Sequence, residues 1–473
     1  MLRTLPHLRL SVAAIVCNTF LNFSVAGIEA KDKVGEKLLP EPRIVDAPFY
    51  GGAVRLAISF DGKRFAIAGT GRRETIVGQQ RVNQPGAVAY LYDADTGKQI
   101  ALLELADQQN YGGWRQIDLA FSPNGKSLAT LSAATVQLWD PANGREQLML
   151  TKSDAPSRGH ISFSPNGNLL AVSRGFKDLE IWDVATQKKS HTISGISQSA
   201  SAFPDEESLL TAGYHNRVHL LKLADGEQIG ELHAKMGILE SVEISPDRKL
   251  AAVAGGGGFK LLDISSESPR LRERSLLRGH IGEGGSVSFA RKQNLLATAG
   301  DEGTVRLWDP QNGILVGLLW WPEPCNNTAA ALSPNGELLV VSRRLRDADG
   351  QVTEIYPVAE LTQPDRITRI VLAAAESLFR ETEPEQDRSR LKLRVRTSAL
   401  LALVGPHAEP AVPLLIAKLK SDRVDVRLTA LGVLAGIGPG AKQAVPGIRA
   451  LDGDESLAVQ RAVQVAIAVI EGR

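Results

Sequence analysis

The sequence predicts a mainly β fold of repeated hairpins, followed by a small all-α domain. Three observations predict it. One turn-and-strand phrase recurs seven times between residues 59 and 342, and 44 glycines with 24 prolines supply many turns. Apolar residues adopt helical spacing only after residue 364. The 473-residue length corresponds to about three units at roughly 150 residues per domain, so a single hydrophobic core is not expected.

Each copy of the repeated phrase begins with a turn of Pro, Asn, Asp or Gly and continues as a short apolar strand, as in SPNGKSLATLS from Ser122. The seven copies begin at Ser59, Ser122, Ser164, Pro204, Ser245, Ala290 and Ser333. Successive copies lie 40 to 45 residues apart, except for 63 between the first two. Because these turn residues preset φ or tolerate a positive φ, each copy predicts a β-hairpin.

A second phrase follows each hairpin. It is an apolar strand that ends in an aromatic or aliphatic residue, usually followed by Asp, as in VQLWD and VRLWD. Trp139, Trp182 and Trp308 occupy the same position of this phrase. The alternation of the two phrases resembles the WD40 repeat, the four-stranded blade of a β-propeller. The resemblance covers about 315 residues. It implies a seven-bladed WD40-type β-propeller over residues 31–363.

The sixth copy keeps most of the WD40 pattern. By resemblance, His280, Thr298, Glu302 and Trp308 form a structural hydrogen-bond network that satisfies the indole N–H inside the blade. His280 is therefore interpreted as structural. A catalytic role is the weaker alternative, because no nucleophile or second base recurs beside it.

The seventh copy provides only three strands before Pro364. The extended segment 43–47, just before the first blade, has the position and composition of the missing outer strand. We expect it to pair with the last blade, which would leave the ring without an open edge.

Residues 364–473 change to a helical period. The apolar positions that fall on one helical face are Ile367, Ile370, Val371, Ala374 and Leu378. Two near-copies of a helix, stop and helix pattern follow, with stops at Gly405-Pro406 and Gly438-Pro439. This segment resembles HEAT-type helical repeats, so a small HEAT-like domain is predicted.

Residues 1–30 have the layout of a signal peptide. Basic Arg3 and Arg9 precede an apolar run over residues 10–23, and small residues follow it. Export to the periplasm, the cell envelope or the extracellular space is predicted. Asn18 and Asn22 interrupt the run, which falls short of the ~20 apolar residues of a spanning helix. No stable membrane insertion is expected after cleavage.

Composition disfavours several functions. With 54 basic and 53 acidic side chains the net charge is +1, which predicts no nucleic-acid binding. Two cysteines are too few for a disulfide scaffold or a clustered zinc site. No catalytic residue, metal ligand or cofactor is predicted, so the chain is interpreted as a non-catalytic scaffold for an unknown protein partner. A propeller enzyme of hydrolase, lyase or dehydrogenase type, with a site at the central channel, is the alternative.

Two insertions locate the candidate interaction surface. From the start of each copy to the end of its third strand there are 17 or 18 residues in copies two to six, but 33 in the first and 23 in the seventh. By resemblance, both insertions emerge on one rim of neighbouring blades. Arginine and aromatic residues there predict a surface for a protein or an acidic ligand. Its predicted members are Phe49, Tyr50, Arg72, Arg73, Arg81, Tyr111, Trp114, Trp321, Arg343, Arg344 and Arg346. The alternative is that these arginines are merely solvated and Trp321 packs on an outer strand.

Overall fold

A computed structural model of the chain describes two compact units, one from Pro40 to Thr362 and one that contains the chain from Gln363 onward. The predicted signal peptide lies outside the described residues. These are 40–77, 80–105, 117–132, 135–151, 159–173, 178–194, 198–265, 267, 270–280, 284–300, 302–321, 325–345, 351–379, 397–398, 400–402 and 404–472.

The first unit is a seven-bladed β-propeller, as predicted, built from four-stranded antiparallel sheets. Blade one contains Phe49–Ile58, Arg64–Val77, Gln80–Asp93 and Gln99–Glu104. Blade two contains Ile117–Phe121, Leu128–Ser132, Thr135–Trp139 and Glu146–Thr151. Blade three contains His160–Phe163, Leu169–Ser173, Asp178–Asp183 and Lys188–Ser194. Blade four contains Gln198–Ala202, Ser208–Gly213, Arg217–Lys222 and Gln228–His233. Blade five contains Leu239–Ile244, Leu250–Gly255, Gly258–Ile264 and Leu271–Leu277. Blade six contains Gly284–Phe289, Leu296–Gly300, Thr304–Asp309 and Ile314–Trp320. Neighbouring blades pack through their innermost strands, and those of blades one and seven also meet, which closes the ring.

Blade seven takes its fourth strand from the beginning of the described chain. Cys325–Leu332, Leu338–Leu345 and Gln351–Pro357 form its inner three strands. Arg43–Val45 pairs antiparallel with the third of them, with Ile44 opposite Glu354. The predicted closure by segment 43–47 is therefore confirmed for residues 43–45.

The repeated turn has a local cause in its serine and its Asn or Asp. In blade two, Ser122 Oγ donates to Asn124 Oδ1 at 2.8 Å and accepts the Ser127 N–H at 2.9 Å. Gly125 follows with φ 72°, a conformation that glycine adopts without a steric penalty. The same serine bond recurs at Ser59, Ser164, Ser245 and Ser333. Five of the seven copies therefore build the same hairpin corner.

The core of the propeller lies between the blades. Between blades seven and one, Phe65 stacks on Tyr92 with 4.9 Å between ring centroids, and Val340 and Ile355 belong to the same cluster. The Tyr92 hydroxyl also donates to the Asp46 carbonyl at 2.5 Å. The segment that carries the closing strand is thus held by packing and by hydrogen bonds.

The second unit is helical over its described residues. Its α-helices are Arg366–Leu378, Val412–Lys418, Val424–Ile437, Val445–Arg449 and Leu457–Glu471, and its 3₁₀ segments are Gly405–Ala411 and Gly438–Ala444. Two further helical elements belong to the propeller unit. They are the short helix Val358–Leu361 at its end and the 3₁₀ turn Tyr214–Asn216 in blade four. Both predicted Gly-Pro stops begin a 3₁₀ segment, and both glycines have a positive φ. The HEAT-like character of this unit stays a prediction.

One bond network connects successive turns of the helical unit. Helix Val424–Ile437 packs against Leu457–Glu471. Its buried Arg427 donates to the Ser421 carbonyl at 2.8 Å and to Asp454 Oδ1 at 2.9 Å. The stretch Val424–Arg449 is long and apolar enough to cross a membrane by length and composition alone, but half of its most apolar window is buried and a 3₁₀ segment divides it, as in a core segment.

Candidate functional site

The insertion of blade one is an extended β-hairpin. Its strands Arg64–Val77 and Gln80–Asp93 have 14 residues each, and they pair along their whole length, from Arg64 opposite Asp93 to Val77 opposite Gln80. Arg72, Arg73 and Arg81 occupy backbone positions opposite Pro85, Gln84 and Ile76. Since the middle strands of blades two to six have five to seven residues, this hairpin extends past its own blade.

The insertion of blade seven lies on the neighbouring blade. Arg344 is half-buried opposite Gln351, at the end of the described pairing. Arg346 lies outside the described residues, as do Tyr111 and Trp114. Tyr50 lies on the innermost strand of blade one. The two insertions are therefore carried by adjoining blades.

Three predicted surface residues are buried, which corrects their assignment to the interaction surface. Phe49 is 2% exposed and meets Tyr90 edge-on, with 5.3 Å between ring centroids. Trp321 is 1% and Arg343 8% exposed, and the guanidinium lies 4.7 Å from the indole centroid. The physical reason is that a buried carboxylate, Glu354, pairs with Arg343 and holds it inside blade seven. Trp321 is not solvent-exposed, but the groups beside it, Tyr356 and Arg343, lie on the third and second strands of blade seven and not on an outer strand as the alternative expected.

The four predicted network residues of blade six form one hydrogen-bonded chain. Trp308 Nε1 donates to Thr298 Oγ1 at 2.8 Å, and Thr298 Oγ1 lies 2.7 Å from His280 Nε2. Because an indole N–H only donates, the threonine proton goes to Nε2, and His280 Nδ1–H donates to the Glu302 carboxylate. Burial lowers the pKa of His280, which keeps it neutral, as this assignment requires.

The tryptophan bond is repeated in one blade and altered in another. In blade two, Trp139 Nε1 donates to Thr130 Oγ1 at 2.8 Å. In blade three Val172 occupies the position of Thr130 and has no side-chain acceptor. Trp182 Nε1 donates to Glu180 at 3.1 Å instead. Blade six therefore has the most complete network of these three.

The innermost strands of blades one to three contain a polar cluster that was not predicted from the sequence. Asp118 Oδ1 lies 3.9 Å from Arg55 Nε, and Asp118 Oδ2 lies 3.6 Å from His160 Nε2. Asp118 Oδ2 also accepts the Ile161 N–H at 2.8 Å. A signal was available in the spacing, since Arg55, Asp118 and His160 lie 63 and 42 residues apart, as the first three repeats do.

This cluster does not have the arrangement of a hydrolytic triad. His160 Nδ1 accepts the Ser201 N–H at 3.3 Å, so it is engaged with backbone and not with a hydroxyl. The hydroxyls of Ser162 and Ser201 bond each other at 3.2 Å. Burial lowers the pKa of His160 although Asp118 opposes the effect, so the imidazole is neutral. Within the described ranges, no group of three or more His, Cys, Asp or Glu side chains could hold a metal ion.

Other polar residues of the innermost strands stabilise the ring. Each accepts a backbone N–H from the innermost strand of the next blade: Glu243 from Phe289 at 3.0 Å, Ser286 from Ala330 at 2.9 Å and Ser288 from Leu332 at 3.0 Å. These amides lie on strand edges that have no further strand beside them. Side chains of the preceding blade thus satisfy donors that would otherwise be buried unpaired.

The family described as "WD domain, G-beta repeat" matches residues 272–309. This match begins in the outer strand of blade five and ends at Asp309, so it contains the whole network from His280 to Trp308. The chain carries a WD40 repeat. The repeat is offset from the blade by one strand, and the chain that contains it folds as a seven-bladed β-propeller.

Curated proteins similar to this chain match part of its length. WD repeat and HMG-box DNA-binding protein 1 of Xenopus laevis is 30% identical over 180 residues, covering 37% of this chain and 15% of that protein. Target of rapamycin complex subunit LST8 of Saccharomyces cerevisiae is 29% identical over 101 residues, covering 21% and 33%. Serine-threonine kinase receptor-associated protein of Rattus norvegicus is 28% identical over 148 residues, covering 31% and 41%. The chain thus spans less than half of each.

A solved structure is similar in fold. The β-propeller domain of Cps50 (Swd1) of Myceliophteria thermophila superposes with a TM-score of 0.53 and 13% sequence identity. The superposition covers 67% of this chain and 99% of that domain. At this identity the likeness shows the fold alone.

Proposed function

We propose that the protein is a non-catalytic interaction scaffold, which binds a protein partner through the rim formed by the insertions of blades one and seven and through its helical repeats. The observation that carries the proposal is the blade-one hairpin, whose two 14-residue strands project past the blade. Its outer part, residues 72–85, contains three arginines and one glutamate, which favours a partner with acidic groups.

The similar proteins support this class of function. Two of them are named as a complex subunit and as a receptor-associated protein, which is consistent with binding to other proteins. One is named as a DNA-binding protein, but the match covers 15% of it, and the balanced charge of this chain favours a protein partner. We further propose export by the segment 1–30, a HEAT-like fold for the helical unit, and a function without cofactor or metal.

The test removes the hairpin while keeping the blade. Gly71 lies opposite Gly86, so replacing residues 72–85 by Asn-Gly joins paired strands with a two-residue turn. The wild-type and shortened proteins are each purified from their native cell after crosslinking, and partners are quantified by mass spectrometry. A partner recovered in stoichiometric amount with the wild type should be lost with the shortened protein.

A charge variant gives a second measurement. Reversing Arg72, Arg73, Arg81 and Arg344 tests the rim without touching the buried Arg343. Reversing the outer-strand residues Arg272 and Arg274 of blade five provides the control. Equal recovery of the partner with all variants, at an unchanged melting temperature, would refute the proposed surface.

A further inference from the structure

The central channel contains an arginine whose hydrogen-bonding capacity is unused within the described part of the chain. Arg55 lies on the innermost strand of blade one, and its side chain is 26% exposed. The nearest carboxylate oxygen, of Asp118, lies 3.9 Å from Nε, which is beyond hydrogen-bond distance. Among the described residues, no hydrogen bond to the Arg55 guanidinium is formed, although a guanidinium carries five N–H donors.

Asp118 is a poor partner for Arg55 because it is engaged elsewhere. Its Oδ2 accepts the Ile161 N–H at 2.8 Å and lies 3.6 Å from His160 Nε2. Burial keeps His160 neutral, so the cluster holds one cation and one anion. The anion is fixed by the backbone of blade three, and the cation keeps its donors for another acceptor.

The equivalent positions of the other four blades carry small side chains. Arg55, Asp118 and His160 each lie four residues before the first residue of the repeated turn. In blade four Phe203 takes the place of the turn serine. Counted from Phe203, Ser245, Ala290 and Ser333, the same position in blades four to seven holds Ser199, Ser241, Ser286 and Ala329. At this level the innermost strands of blades one to three therefore carry a cation, an anion and a neutral imidazole, and those of blades four to seven carry small, uncharged side chains.

We propose that the channel is a carboxylate-binding site in which Arg55 is the principal donor. A guanidinium binds a carboxylate through two parallel N–H···O bonds, a geometry that lysine cannot reproduce. The serine and alanine side chains at this level in blades four to seven bring no second cation or carboxylate, and Asp118 acts as an internal competitor that limits the affinity. The carboxylate belongs either to a free small acid or to an acidic segment of a polypeptide.

The test measures binding of two probes to the full chain by ligand-observed NMR. The probes are acetate and a capped tetrapeptide of glutamate. Arg55→Met should weaken binding by about tenfold or more, since it removes a charged, bidentate donor. Arg55→Lys, which keeps the charge and provides a second variant if Arg55→Met does not fold, should weaken binding by a smaller factor. Arg274→Met removes an exposed guanidinium on an outer strand and is the matched control.

Asp118→Asn gives the sharper result. The asparagine oxygen still accepts the Ile161 N–H, but the competing charge is gone. This variant should therefore bind the probe more tightly than the wild type does. Binding of acetate alone would identify a free acid as the ligand, and binding of the peptide alone an acidic segment. Binding of neither probe to the wild type, or equal binding to the wild type and both Arg55 variants, would overturn the proposal. None of these variants alters the rim of blades one and seven, so the result is independent of the proposed partner surface.

Discussion

Arg343 and Glu354 form a bidentate ion pair inside blade seven. Nε lies 3.0 Å from Oε2 and Nη2 lies 3.1 Å from Oε1. Burial alone would lower the pKa of Arg343, but the hydrogen bonds and charge of Glu354 raise it above its ordinary value. An arginine that the sequence places on a binding surface therefore stabilises the blade, with its guanidinium near the Trp321 ring.

Removing one partner of this pair should destabilise the propeller. Arg343→Met leaves a carboxylate buried without its cation and should lower the free energy of unfolding by about 3–5 kcal/mol. Arg344→Met, at the adjacent and more exposed position, should change it by less than about 0.5 kcal/mol. Urea unfolding followed by circular dichroism measures both, and equal effects would contradict the role assigned to the pair.

The closing strand gives a prediction with a built-in control. Val45 is 4% exposed and packs in the core between blades seven and one, whereas the adjacent Ile44 is 70% exposed. Val45→Asp buries an unpaired charge and should lower the melting temperature by roughly 8 °C or more, while Ile44→Asp should leave it nearly unchanged. Equal melting temperatures, measured by calorimetry, would show that Arg43–Val45 does not close the ring.

One copy of the repeated turn contains a strained residue. Arg248 has φ 63°, at the position where Gly62, Gly125, Gly167 and Gly336 stand in other blades. Arg248→Gly should relieve this strain and raise the free energy of unfolding by roughly 0.5–1 kcal/mol. Lys249→Gly, one residue later, should lower it. A loss of stability in Arg248→Gly would show that the arginine side chain compensates for its backbone.

Glu243 predicts a specific dependence on pH. Burial raises its pKa to about 7, although Arg291 and the Phe289 N–H oppose the effect. The native state therefore holds the proton more tightly than the unfolded chain, so the contribution to stability is complete below about pH 4.5 and is lost as the pH rises through about 7. The stability of Glu243→Gln relative to wild type should rise by roughly 1–3 kcal/mol over this range. A difference that does not vary with pH, in urea unfolding at several pH values, would exclude this assignment.

The ring could be predicted because its determinants are local and periodic. The Ser122 to Gly125 turn needs only a serine, an amide and a glycine at fixed spacing, and this pattern recurs at the blade period. The closing strand could be predicted from the count of strands, since the seventh repeat lacks its fourth. The network from His280 to Trp308 lies within one repeat and keeps its sequence pattern.

Exposure and contacts between blades could not be predicted in the same way. Phe49 begins the innermost strand of blade one and Trp321 follows the outer strand of blade six, and only the packing of blades one and seven decides that they are buried. The channel cluster joins Arg55 to His160 across 105 residues, and each residue alone is unremarkable for a short strand. Side-chain burial depends on neighbours distant in sequence, which no local pattern encodes.

Site-specific photocrosslinking in the native cell tests the central claim, that the blade-one hairpin is the main binding surface. A photoreactive amino acid is placed at Arg73 on the hairpin and, for comparison, at Leu102, a 41% exposed residue on the outer strand of the same blade. One protein should be crosslinked in high yield from position 73 and not from position 102. Crosslinks of equal yield and identity from both positions, or from position 102 alone, would contradict it.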